Sequence, residues 1–89
     1  MNGYSNKETY HASLWLNKTE EFYIRVCKKI GLKESRIVVA ETIKELMNKI
    51  IAEHNNNIGS VYAMYMIEAV GDFSQIKYNE LADNFLDIR

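Results

Sequence analysis

Eighty-nine residues provide for one domain and one core, and 47% apolar with 11% aromatic residues fills it, which excludes a disordered chain. A formal net charge of −1 argues against sequence-independent binding to nucleic acid or to an anionic membrane surface. The charge is unevenly spread, with nine Lys/Arg against six Asp/Glu in residues 1–52 and two against six in residues 53–89.

The absence of proline, with only four glycines, favours long helices over a turn-rich β fold. Ser5-Asn6-Lys7-Glu8 has the spacing of a capping box and predicts helix 1 over residues 6–16. Tyr10 and Leu14 then share one face, with His11 and Trp15 beside them and Leu16 widening the stripe. Asn17 is suited to close this helix and open the next. Helix 2, over 18–30, carries Glu20 and Glu21 at its positive end and Lys28 and Lys29 at its negative end. Phe22, Tyr23, Val26, Cys27 and Ile30 make its apolar face. Gly31 is expected to supply a left-handed cap, with Leu32 folding back on the last turn.

Ile37, Val38 and Val39 are β-branched and could start a strand, but a lone strand has no partner in this chain. Val39, Ile43, Leu46/Met47, Ile50/Ile51 and His54 keep helical spacing, so one long helix over 36–54 is expected, capped by Ser35 and ended by the asparagines at 55–57. A fourth helix follows Gly59-Ser60 over 61–70 and stops at Gly71. The last runs over 77–88, with Tyr78, Leu81, Ala82, Phe85 and Leu86 on its apolar face. Glu80, Asp83 and Asp87 line its outer face, a candidate acidic surface for a basic partner. Together these predict an all-α, single compact domain of four to five helices spanning residues 1–89.

Side chains able to carry catalysis are few. Cys27 sits mid-helix among core residues, whereas a reactive thiolate needs a helix N-terminus or a cationic neighbour. As the sole cysteine it permits no intramolecular disulfide, which fits a reducing compartment. Glu8 and His11 lie three apart without a third metal ligand, and His54 falls near a helix C-terminus that favours imidazolium. No phosphate-binding glycine loop or Cys/His cluster is present. The chain is expected to be non-enzymatic and to need no cofactor. The longest apolar run, "VYAMYMI" at 61–67, is too short to span a bilayer, and no signal peptide is evident, so a cytoplasmic protein is expected.

"VCKKIGLKESRIVV" has helix-turn-helix spacing through Cys27, Ile30, Gly31, Leu32 and Ile37. Its second helix carries Glu34, Glu41 and Glu45 against Lys33, Arg36 and Lys44, a balance that duplex DNA does not reward. DNA binding is therefore the second reading. In "SVYAMYMIEAV", Val61, Tyr62, Met64, Tyr65 and Met66 surround nearly the whole helix. Such a helix is either central to its domain or covered by a second chain, and Tyr62, Tyr65 and Met66 are candidate residues of a homodimer interface.

"YSNKETYHASLWLNKTEEFY" at 4–23 resembles the opening of a family of small proteins from bacteriophages, plasmids and related mobile elements. Members often begin Y-T-N-Y-E-T-W, followed by A-L-W-L-x-N and an acidic, aromatic helix. Tyr4, Asn6, Glu8, Thr9, Leu14, Trp15, Leu16, Asn17, Glu21 and Tyr23 fall on that pattern. "IKYNELADNFLDI" at 76–88 resembles the family's closing segment, V-D/N-W-x-E-I-A-x-x-L. Tyr10 and Tyr78 stand where tryptophan is usual, and Lys77 takes the usual Asp/Asn cap position. The resemblance implies a structural signature, in which Tyr4, Asn6, Glu8, Thr9, Tyr10 and Trp15 cap a helix and anchor the two chain ends together. It also implies a protein of a mobile element that binds a host or phage macromolecule, a host defence complex (CRISPR or restriction) being one such target.

Overall fold

The computed structural model describes residues 3–31 and 34–87, with the side chain of Asp87 outside that description. Its helices are α1 (Lys7–Lys18), α2 (Glu20–Lys29), α3 (Arg36–Asn55), α4 (Val61–Val70) and α5 (Tyr78–Asp87), with one 3-10 turn at Phe73–Gln75. Among the described residues there is no strand, and the chain forms one all-α domain. The β-branched residues 37–39 lie inside α3.

Chain ends and junctions depart from expectation in instructive places. Asn6, not Ser5, caps α1, its side-chain oxygen accepting the Thr9 N–H at 2.8 Å. Ser5 is drawn away, because its N–H (2.8 Å) and its hydroxyl both donate to the carboxylate of Glu80. Helix α1 runs past 16 to Lys18, and Asn17 stays inside it, its Nδ2 donating to the Ser13 carbonyl at 2.9 Å. The junction is the buried, extended Thr19, whose N–H closes α1 on Trp15 O and whose carbonyl opens α2 on Tyr23 N.

Gly31 is not a left-handed cap, since Gly3 and Gly71 are the described glycines with positive φ. Helix α2 instead ends through Ile30 in an extended conformation, which carries that side chain into the core. Leu32 lies outside the described residues. The buried face of α2 is also narrower than its pattern, with Phe22, Val26 and Ile30 buried and Tyr23 and Cys27 partly so.

Ser35 caps α3, its hydroxyl oxygen accepting the Val38 N–H at 3.3 Å. The asparagine run closes the same helix. Asn56 returns its N–H and its Nδ2 to Ala52 O at 3.0 and 2.9 Å, and Asn57 takes φ 60, a left-handed position that asparagine tolerates. A Cβ on Gly59 would stand 3.0 Å from the His54 backbone, so this fold-back admits only glycine without adjustment. Helix α4 ends at Gly71 with φ 78.

The longest helix, α3, is the spine. It buries Val39, Ile43, Leu46, Met47 and Ile50 against Phe22 and Val26 of α2 and Leu81, Ala82 and Phe85 of α5, within one cluster that includes Leu16 and Met66. Each such side chain contributes roughly 1.5–3 kcal/mol when fully buried. Helix α5 packs most extensively on α3, and α1 on α4 and α2. Helices α1 and α5 touch less, and hydrogen bonds join their first turns.

Candidate functional site

The first half of α1 makes a polar latch to the start of α5. Thr9 is fully buried and its Oγ1 accepts the Lys77 N–H at 2.8 Å, satisfying a donor that no earlier turn of α5 could serve. Asn6 caps α1 with its oxygen while its Nδ2 donates to Gln75 O at 2.8 Å. Glu80 accepts both Ser5 donors. Tyr4 shares a 2.7 Å hydrogen bond with the Ser13 hydroxyl, and its ring lies 6.3 Å from that of Tyr10, which in turn lies 5.4 Å from His11. Glu8 is half-buried in the first turn of α1, where the helix dipole favours a carboxylate. Every buried side-chain polar atom of the described residues has a partner, so this region is saturated.

The acids of α5 are likewise occupied. Asp83 takes both arms of Arg36, at 2.7 and 3.0 Å, and Glu80 is held by Ser5. The outer face of α5 is thus paired internally at these two positions, and the Asp87 side chain lies outside the described residues. The same pairing occupies the arginine that a helix-turn-helix reading would send to phosphate.

The second half of α1 faces something different. Val61, Tyr62 and Tyr65 on α4 are 50%, 48% and 45% exposed, and Ile58 before them is 75% exposed. Met66 is fully buried with Ala63 and Val70, so it cannot line an interface. The reason is helical geometry: one residue beyond Tyr65 the helix has turned about 100° and points inward. Helix α4 is therefore enclosed by its own domain on one side, at Ala63, Met66 and Val70, and open on the other. Trp15 is half-buried, its ring centroid 6.1 Å from that of Tyr65 at 38°. Beside this ring pair, between Trp15 and Tyr62, opens a groove of about 740 Å³ lined by Leu14, Trp15, Lys18, Thr19, Glu20, Glu21 and Tyr62. Its α4 end is tied to α2 by the Ser60 hydroxyl, which donates to Glu21 Oε2 at 2.7 Å.

The remaining ionisable groups form no constellation. Among the described residues, no three His, Cys, Asp or Glu side chains gather as metal ligands. Cys27 is half-buried rather than in the core. Arg25 and Glu53 make a bidentate pair at 2.9 and 3.0 Å, and these hydrogen bonds hold the Glu53 carboxyl below its ordinary range despite some burial. Asp72 is held low by the Ser74 hydroxyl and N–H, at 2.6 and 3.0 Å. Burial pushes the Tyr78 phenol up. Among the described residues no helix is long and apolar enough to cross a membrane.

Sequence reasoning placed Trp15, Tyr62 and Tyr65 among its candidates without foreseeing that they meet. Thr19 and Ile58 carry no sequence signal of this kind: Thr19 lines the groove because it is the α1–α2 junction, and Ile58 is exposed ahead of α4. Comparison with protein-family models, curated proteins and solved structures finds no match to this chain.

Proposed function

We propose that this is a non-enzymatic interaction protein that docks a partner macromolecule on the α1–α4 face. The observation that carries this reading is the exposure of Val61, Tyr62 and Tyr65 beside Trp15 around an open groove. Their exposed area is on the order of 300 Å² before Ile58 and Leu14 are added, within the size range of functional patches on monomers. Tyrosine and tryptophan are also the residue types that dominate interface hot spots. With the resemblance of residues 4–23 to proteins of phages and plasmids, the partner belongs among host or phage macromolecules in the host cytoplasm. Inhibition of a CRISPR or restriction complex is the subtype that such an origin suggests.

A homodimer across α4 is the competing occupant of the same face, and one experiment addresses both. A photo-crosslinking amino acid is placed at position 62, and at position 41 on the exposed side of α3, in host cells. A discrete adduct from position 62 and none from 41 is expected. An adduct near twice the 10.4 kDa chain mass identifies a second copy, and a larger one is identified by mass spectrometry. Equal labelling from both positions, or none from 62, overturns the docking reading.

A further inference from the structure

The charges around the groove narrow what it can hold, an inference that rests on the docking reading above. Val61 and Tyr65 continue at helical spacing to Glu68, which is exposed, and exposed Asp72 follows just past the Gly71 cap. At the opposite end, exposed Glu20 and Glu21 line the groove where Ser60 leads into α4. An apolar strip about 10 Å long, the rise from Val61 to Glu68, is thus bracketed by carboxylates at both ends. Lys18 is the one cation among the residues that line the groove. Among the described residues Glu20 and Glu68 make no ion pair, in contrast to Asp83 and Glu53, while Glu21 and Asp72 accept hydrogen bonds from Ser60 and Ser74 without a cation to neutralise them.

We propose that the groove binds an amphipathic helical segment of a partner protein, with apolar anchors between Trp15 and Tyr62 and Lys or Arg residues at both flanks. An open apolar groove receives a helix through anchors at i, i+3 or i+4 and i+7, and charge at the rim sets partner choice and encounter rate. A second copy fits worse. Antiparallel pairing of α4 about a two-fold axis carries Glu68 and Asp72 of one copy toward Glu20 and Glu21 of the other, carboxylate against carboxylate. A nucleic-acid backbone meets the same repulsion.

The test is selection of a displayed library of helical 15-residue peptides on the immobilised protein, run in parallel on Tyr62→Glu. Peptides enriched on the wild type alone should share apolar anchors at helical spacing with Lys or Arg at both ends. Glu20→Lys combined with Glu21→Lys should then weaken the best peptide at least tenfold at low salt, an effect that fades at high salt. Enrichment of acidic or neutral flanks overturns the charge inference while leaving the docking face in place. No enrichment beyond that on Tyr62→Glu overturns the peptide-groove proposal, and position-62 crosslinking then shows separately whether the face docks anything at all.

Discussion

The two halves of α1 face regions of opposite character. Its first turns, with Asn6 and Thr9, hold the start of α5 through hydrogen bonds that leave no buried polar side chain of the described residues without a partner. Its last turns, with Leu14 and Trp15, hold apolar surface against Tyr62 and Tyr65 and leave it open. Groups satisfied at home have nothing left for a partner, whereas exposed aromatic area retains its full hydrophobic driving force for association. One short motif therefore serves folding at one end and a surface at the other. That division explains why tyrosines, cap residues and a tryptophan crowd the same stretch.

Substitutions can break this contrast, and the largest effect falls between its two regions. Leu16 is fully buried at the centre of the core, so Leu16→Ala should cost about 3 kcal/mol in urea unfolding. Trp15→Ala should cost less, about 2 kcal/mol, because the ring is only half-buried, and it should also weaken peptide capture by the groove. On the latch, Thr9→Val removes the acceptor of the part-buried Lys77 N–H bond and should cost about 1 kcal/mol without changing capture. A Thr9→Val protein as stable as the wild type would show that the latch is dispensable for folding.

A smaller effect is expected at Arg25–Glu53, which lies apart from both regions and calibrates them. The folded-state carboxyl of Glu53 sits below its ordinary value of 4.5, so its contribution is fully present above that value and is lost as pH falls through the lowered one. Both side chains are 25% exposed, which holds the contribution to roughly 1 kcal/mol or less. Glu53→Gln should be less stable than the wild type at pH 7, with the gap closing as pH falls below 4.5. A gap that stays constant with pH would assign the loss to packing instead.

Much of the frame was legible from local rules. Ser35 as the α3 cap, the asparagines as its end and Gly71 as the stop of α4 each depend on one residue type and its backbone needs, which neighbours do not alter. Where a cap residue has a competing long-range partner, the local rule fails: Ser5 fits the capping box, yet Glu80 claims its donors, and Asn6 takes the cap. Gly31 fails for a similar reason, since burying Ile30 requires an extended exit from α2. The surface was half legible. Composition marked α4 as too apolar to be an ordinary surface helix, but which of its sides faces out depends on where α1 docks, and so Met66 was placed outside when it is in the core. Local sequence leaves the acids of α5 looking free, because the Arg36–Asp83 pair spans 47 residues of sequence.

The division of α1 is tested most directly by one comparison of unfolding free energies, Tyr62→Glu against Asn6→Ala. Tyr62 should be replaceable with a change within about 0.5 kcal/mol, the usual range for surface positions, while loss of the Asn6 cap and its Gln75 bond should cost about 1–2 kcal/mol. The reverse order, with Tyr62→Glu costing 2 kcal/mol or more and Asn6→Ala nothing, would contradict the account, because the α4 face would then belong to the core and the latch would be ornament.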